Sequence, residues 1–188
     1  LLMAAYLDAE FVDPKDYVIL MQNGNVDPET YRLLGERIAD PKKRYVIPGF
    51  YGRDHKGRIK TFSRGGSDIS GAIAARAAMA ELYENWTDVS GLLMADPRIV
   101  DNPRPMAEVT YAEIRELSYM GASVLHDEAM APVREVGIPV NIRNTNEPLH
   151  PGTRIVAKLS PEVEKSTLIA GVAGKTSFAM ISIGKHLM

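Results

Sequence analysis

Cysteine is absent from this chain of 188 residues. Its absence excludes disulfides, zinc thiolate sites and a cysteine nucleophile, and it fits a reducing, cytoplasmic location. No apolar run approaches the ~18 residues needed to span a bilayer, so no membrane partner is expected. A basic stripe is also missing: Lys42, Lys43 and Arg44 form the densest basic run in a chain of net charge -2. We therefore expect no nucleic-acid partner.

The residues that are present make up an ordinary globular chain. Hydrophobic residues account for 45% and charged residues for 24% of the total, which excludes a disordered or fibrous protein. The length suits one domain or slightly more and suffices to bury a core. The four histidines are dispersed along the sequence, so we predict no metal site built from them. A small-molecule ligand is expected.

Helix and strand patterns alternate along the chain. Asp27 followed by Pro28 is typical of a helix start, and apolar residues at 31, 34 and 38 continue it with helical spacing. Predicted strands cover 45–47, 59–62, 86–89 and 138–142, and further predicted helices cover 67–82, 110–120 and 125–136. This alternation predicts an α/β fold with a mostly parallel sheet and helices on both faces. Ligands of such sheets bind at the carboxyl ends of the strands.

The residue composition changes in the C-terminal part of the chain, after residue 158. Residues 159–166 are polar and charged and are predicted to be a linker, which assigns 1–158 to a first domain. Beyond the linker, 167–173 and 177–183 are β-like runs that begin a second domain, 167–188. The opening residues 1–7 are typical of the end of a helix, and they lack the marks of a signal peptide. We therefore expect a fragment of a longer protein.

Residues 64–68, RGGSD, join a predicted strand to a helix start. Free N–H groups and the helix dipole favour an anion there, and two glycines let the backbone approach it closely. Arg64 adds a planar set of donors suited to a carboxylate or a phosphate. Ser67 and Asp68 are equally compatible with simple N-caps, because both residue types are favoured at caps for structural reasons. Local chemistry alone leaves both interpretations open.

Five ordered motifs resemble those of the aspartokinases. They are residues 62–68 (FSRGGSD), 87–91 (TDVSG), 95–98 (ADPR), 119–126 (YMGASVLH), and 138–140 (IPV) followed by 151–153 (PGT). Their order and spacing agree with the family over residues 49–156. The resemblance implies the C-terminal half of a catalytic domain of amino-acid kinase fold. It also implies that the first strands of an ACT-like α+β regulatory domain follow.

The resemblance further implies an enzyme, aspartate kinase. Such an enzyme transfers the γ-phosphoryl of ATP, with Mg²⁺, to the side-chain carboxylate of L-aspartate in the first step of lysine, threonine and methionine biosynthesis. Asp68 would have the catalytic role of orienting the family's lysines. The implied substrate contacts are Phe50, Arg64, Gly65 and Ser67. The implied nucleotide contacts are Thr87, Asp88, Leu93, Arg98 and Ser123. A homo-oligomer and an amino-acid effector bound at the ACT domain are further implications.

Some residues depart from the family's pattern. Ser123 stands where many members have a lysine, and Leu93 stands where a tyrosine commonly packs on the nucleotide. Asp127 replaces a proline and adds negative charge. Either this branch neutralises phosphate differently, with Lys175 or Arg143 as candidates, or its nucleotide site is weakened. Asp88 and residues 96–98 also fit ordinary turns.

Two family elements have no counterpart here: a phosphate-binding segment of the type KFGG and a glutamate that helps to hold aspartate. We therefore expect these 188 residues alone to be inactive, and to associate through uncovered apolar faces. One alternative is a non-catalytic module of the same fold that binds a nucleotide or an amino acid. Another is a kinase for a different carboxylate such as glutamate, although the RGGSD and ADPR motifs favour aspartate.

Overall fold

A computed structural model of the chain describes residues 1–63, 65–119 and 127–174. Helices and strands alternate within them, as the sequence predicts for an α/β protein. The helices are α1 (Leu2–Tyr6), α2 (Pro14–Tyr17), α3 (Glu29–Arg37), α4 (Gly66–Ala77), α5 (Tyr111–Tyr119), α6 (Asp127–Arg134) and α7 (Pro161–Ser166). The strands are β1 (Glu10–Phe11), β2 (Tyr45–Val46), β3 (Tyr51–Arg53), β4 (Ile59–Thr61), β5 (Tyr83–Thr87), β6 (Glu108–Thr110), β7 (Val140–Asn144) and β8 (Thr153–Val156).

The strands of the described residues form three sheets. The largest has the order β5-β7-β8-β6, in which β5–β7 and β6–β8 are parallel and β7–β8 is antiparallel. The other two are the short parallel pair β1–β2 and the antiparallel hairpin β3–β4. Two of the three pairings in the largest sheet are parallel, which confirms the mostly parallel expectation. Thr87 pairs with Asn144, so the carboxyl ends of β5 and β7 lie side by side.

Helix α4 lies between two hydrophobic clusters. Its Ala72 belongs to the larger cluster, which includes Val140 and Ile155 of the central strands. Its Ile73 belongs to the smaller cluster, which includes Leu34 of α3. Each of these side chains is almost fully buried, and burying a Val, Leu or Ile side chain contributes ~1.5–3 kcal/mol. Helix α4, whose first turn carries Gly66, Ser67 and Asp68 of the motif, is therefore fixed by packing on both of its sides.

Side-chain hydrogen bonds fix the starts of two helices, although the N-cap of α3 is Pro28 and not the predicted Asp27. The Asp27 carboxylate accepts a hydrogen bond from the Glu29 N–H at 2.9 Å at the start of α3. At the start of α5 the Thr110 hydroxyl accepts from the Glu113 N–H at 3.2 Å, and the Glu113 carboxylate accepts from the Thr110 N–H at 2.8 Å. These reciprocal bonds form the predicted capping box.

Several boundaries differ from the sequence prediction. Helix α4 ends at Ala77 rather than at residue 82, because Met79 adopts a left-handed φ of 47° and the Ala80 N–H donates to the Ala75 carbonyl. The strand predicted at 86–89 is β5, which begins three residues earlier, at Tyr83, and the strand predicted at 138–142 is β7, which begins at Val140. Residues 120, 125 and 126 of the predicted helices lie outside the described part of the chain.

The C-terminal segment also differs from its prediction. The predicted linker contains α7, which has no buried residue, and the Ser160 N–H ahead of α7 donates to the Glu108 carboxylate at 2.9 Å. The β-like run 167–173 is not a strand: the Val172 N–H donates to the Met94 carbonyl, and Ala170 packs against the larger core cluster. The second run, 177–183, lies outside the described residues, so the second domain remains a prediction.

The Thr153 hydroxyl bridges two segments of buried backbone. It accepts a hydrogen bond from the Leu92 N–H at 2.8 Å and donates to the Met106 carbonyl at 2.6 Å, at 1% exposure.

Thr153→Val should lower the free energy of unfolding by about 1–3 kcal/mol for each backbone group left unpaired. Urea denaturation of the natural protein measures this loss. Thr153→Ser, which loses only a methyl group, should cost about 1 kcal/mol. Equal losses in the two variants would contradict the bridging role.

Candidate active site

Phe50 occupies a strained backbone position beside the start of α4. Its φ is 78°, in the left-handed region that a bulky residue rarely adopts. Its N–H donates to the Ser70 hydroxyl at 3.1 Å, and its carbonyl accepts from the Phe62 N–H at 3.0 Å. Such strain costs ~1–3 kcal/mol and clusters at functional sites. The side chain is 58% exposed, which leaves the ring available to a ligand.

The first turn of α4 lies directly against Phe50. A Cβ built on Gly66 would lie 2.6 Å from the Phe50 ring, so a larger residue would displace the ring. Gly65, with φ 59°, is the N-cap, and no side chain of the described residues caps this helix. Ser67 lies in the first turn and is exposed. Ser67 and Asp68 are therefore helical residues and not N-caps, which removes the capping interpretation.

Asp68 receives hydrogen bonds from strand β5. The side-chain amide of Asn85 donates to the Asp68 carboxylate at 3.3 Å, and the Tyr83 hydroxyl donates to the Asp68 carbonyl at 3.2 Å. Burial raises the pKa of the Tyr83 phenol, and the negative charge of Asp68 raises that pKa further. The phenol consequently remains a neutral donor at physiological pH.

Thr87 and Asp88 lie at the carboxyl end of β5, where the α/β rule places ligands. The Thr87 hydroxyl donates to the exposed Asp88 carboxylate at 3.2 Å. The Thr87 carbonyl accepts from the Thr145 N–H at 2.9 Å and from the Thr145 hydroxyl at 3.0 Å. The segment after β7 therefore fixes the backbone of this predicted nucleotide contact.

A second connection joins the same two segments. The Ser90 hydroxyl donates to the Glu147 carboxylate at 2.5 Å and accepts from the Asn144 side-chain amide at 2.8 Å. The Asn144 side-chain oxygen in turn accepts from the Asn146 N–H at 2.9 Å. Because each group is tied to the next, residues 87–90 and 144–147 form one hydrogen-bonded unit at the sheet edge.

Leu93 and Arg98 lie on the long connection between β5 and β6. Leu93 is 40% exposed and forms an isolated antiparallel β-bridge with Pro105. Arg98 donates to Asp96 from its backbone N–H at 2.8 Å and from its guanidinium at 2.6 Å. Hydrogen bonds from Arg98 lower the pKa of Asp96 to about 2. Residues 96–98 thus form the turn that the sequence allows. The contact of Arg98 with phosphate remains a prediction.

The structure brings one group of predicted site residues together. Phe50, Gly65, Ser67 and Asp68 meet at the start of α4, and Asn85 links Asp68 to the strand that ends at Thr87. Arg64 and Ser123 lie outside the described residues, as does Lys175. Arg143, a candidate to supply the charge missing at Ser123, already donates to the Glu84 carboxylate at 3.1 Å and stacks on Trp86 at 4.7 Å.

Sequence reasoning missed Asn85, Asn144 and Thr145, which hold the predicted residues in place. A signal for the two asparagines was available, because asparagine is depleted in strands and both lie within strands. A buried asparagine in a strand needs hydrogen-bond partners, which here are Asp68 and Ser90. Thr145 carries no comparable signal, since threonine is common near strands.

A separate cleft of about 840 Å³ lies between residues 21–26, the strand β4 region and helices α4 and α6. The predicted site residues that the structure describes do not line it. The Lys60 ammonium donates to the Met21 carbonyl at 2.7 Å, and Arg76 stacks on Tyr31 at 3.9 Å and pairs with Glu135. Because Lys60 and Arg76 already have partners within the chain, the cleft indicates no particular ligand.

Neither a membrane-spanning helix nor a cluster of metal ligands occurs among the described residues. No helix in that part of the chain is long and apolar enough to cross a membrane. Nor do His, Asp and Glu side chains gather there in a group of three or more that suits a metal ion.

The chain belongs to the amino acid kinase family, whose model matches residues 1–144. Within that family its similarity is to aspartokinases, which confirms the resemblance seen in the motifs. It is 44% identical over its whole length to aspartokinase 3 of Bacillus subtilis and covers 42% of that protein. The chain spans less than half the length of this relative.

Solved aspartokinases share the fold. The aspartate kinase of Clostridium acetobutylicum matches with 52% identity and a TM-score of 0.77, over 82% of this chain and 36% of that one. E. coli aspartokinase III in complex with aspartate and ADP matches with 29% identity and a TM-score of 0.72, over 85% and 37%. The same enzyme in complex with lysine and aspartate matches with 29% identity and a TM-score of 0.71, over 81% and 36%.

Proposed function

We propose that the protein carrying these residues is an aspartate kinase. An oxygen of the L-aspartate side-chain carboxylate attacks the γ-phosphorus of ATP, ADP leaves, and 4-phospho-L-aspartate forms. The observation that carries the proposal is the first turn of α4, which no side chain of the described residues caps and which lies beside the strained and exposed Phe50. A helix start of this kind favours a carboxylate ligand. The family match and the aspartate-bound relatives support the choice of aspartate.

Positioning and charge neutralisation dominate phosphoryl transfer, so the chain's own residues act by holding the reactants. Phe50, Arg64, Gly65 and Ser67 are proposed to hold aspartate. Asp68 is proposed to orient the basic groups of the catalytic centre. The proposed nucleotide contacts are Thr87, Asp88, Leu93, Arg98 and Ser123, of which the first two lie at the carboxyl end of β5.

The nucleotide is proposed to enter as its magnesium complex. Mg²⁺ commonly binds through substrate phosphates and one or two carboxylates, keeping several waters, and this mode needs no cage of protein ligands. We assign the metal to no residue of this chain. A homo-oligomer and an amino-acid effector complete the proposal, and the lysine-bound relative supports the effector.

The test is an assay of the full natural protein for ADP release that depends on L-aspartate. Hydroxylamine trapping of the acyl phosphate identifies the product, and L-glutamate in place of L-aspartate is the control. Aspartate-dependent ADP release with a trapped aspartyl product supports the proposal. ADP release with glutamate alone would assign the other carboxylate. Ligand binding without turnover would favour the non-catalytic module.

The 188 residues alone are expected to release no ADP above background in the same assay. The physical reason is that they contain no segment of the KFGG type to bind phosphate. Addition of the N-terminal part of a full-length aspartokinase, as a separate chain, is the matched comparison. Turnover by the 188 residues on their own would show that they hold the reactants without that segment.

A further inference from the structure

Asn85 is a buried polar residue in the middle of β5. It is 8% exposed and pairs in register with Ile142 of β7. An amide in such a place costs free energy unless it is hydrogen-bonded, and its NH₂ group donates to the Asp68 carboxylate at 3.3 Å. This bond connects the rigid sheet to the first turn of α4 and joins residues that lie 17 positions apart.

The same face of β5 carries a second donor to Asp68. Tyr83 and Asn85 are two residues apart, so their side chains point to the same side of the strand. The Tyr83 hydroxyl donates to the Asp68 backbone carbonyl, and its ring packs where a Cβ on Gly71 would otherwise lie. Tyr83 therefore holds the helix backbone, and Asn85 holds the carboxylate.

We propose that Asn85 is a positioning residue for phosphoryl transfer and acts through Asp68. This inference rests on the proposed function. The amide holds one carboxylate oxygen and so fixes the direction of the other oxygen toward the basic groups that Asp68 orients. A neutral donor suits this task, because it orients the carboxylate without bringing in a cation that competes for the same charge. The residue contacts neither reactant in this proposal.

The experiment compares Asn85→Leu and Tyr83→Phe in the full natural protein. Asn85→Leu removes the donor to the carboxylate and keeps the branched shape of the side chain, and it should lower kcat about 10- to 100-fold, as expected for a lost hydrogen bond to a charged group. The KM values for aspartate and ATP should stay within about twofold, because Asn85 positions a group and does not bind substrate. Tyr83→Phe is the comparison: it removes the donor to the Asp68 backbone but keeps the donor to the carboxylate, so it should lower the melting temperature and lower kcat by less than Asn85→Leu does. Asn85→Ser, whose hydroxyl is too short to reach Asp68, repeats the test if leucine prevents folding.

A double-mutant cycle with Asp68→Asn separates positioning from structure. If Asn85 acts only through Asp68, then Asn85→Leu should lower kcat little further in the Asp68→Asn protein, because the two effects are not additive. Unchanged kcat in both Asn85 variants would overturn the inference. Equal losses of kcat and melting temperature in the Asn85 and Tyr83 variants would also overturn it, by showing a structural role. An inactive wild-type protein would instead refute the proposed function.

Discussion

Gly152→Ala is expected to lower the free energy of unfolding by more than about 4 kcal/mol, an exceptional loss for one methyl group. A Cβ on Gly152 would lie well inside the van der Waals contact distance to the Ile142 carbonyl oxygen, and 3.0 Å from the Ile142 carbonyl carbon. Ile142 belongs to β7 and faces Thr153 of β8, so this carbonyl is held by the sheet and cannot move aside. Gly152 also has a φ of 74°, which disfavours alanine.

Gly137→Ala is the matched control for that prediction. Gly137 has a nearly identical φ of 72°, but a Cβ there would meet no atom within 4 Å. This variant should therefore cost only the left-handed backbone strain, about 1–2 kcal/mol. Urea denaturation of the natural protein measures both variants. If the two lose equal stability, backbone strain accounts for the effect and the clash with β7 does not.

Arg64→Ala is expected to raise the KM for aspartate at least tenfold in the natural protein and to leave the KM for ATP nearly unchanged. Arg64 lies outside the described residues, so this prediction rests on the RGGSD motif and the proposed function. Truncating one partner of a buried charged hydrogen bond costs ~2–5 kcal/mol. Since ~1.4 kcal/mol corresponds to a factor of ten, the effect exceeds tenfold. The proposed ATP contacts lie on other residues, which is why the two KM values should separate.

Arg64→Lys and a melting curve are the controls for this result. Lysine should restore aspartate binding only in part, because a point charge cannot reproduce two parallel donors. The melting temperature should change little if Arg64 serves the substrate. A protein that melts several degrees lower with an unchanged KM for aspartate would instead make Arg64 a structural residue.

The sequence alone determined the features that depend on neighbouring residues. The capping box of Thr110 and Glu113 formed as predicted, Asp27 accepts a hydrogen bond at the start of α3, and the helix predicted from Ser67 begins one residue earlier, at Gly66. Each involves groups within a few positions of each other, so its physical cause is local and can be predicted from the sequence. The ordered motifs indicated the family for a related reason, since their residue types and spacings are themselves the signal.

The tertiary structure decided what holds the candidate site together. The bond between Asn85 and Asp68 spans 17 positions, and the bond between Ser90 and Glu147 spans 57. The strained φ of Phe50 depends on Ser70, 20 positions away. These contacts follow from the strand order β5-β7-β8-β6 and from the packing of α4 between two hydrophobic clusters. No local pattern encodes them, because chain segments far apart in sequence meet only once the sheet has set their order.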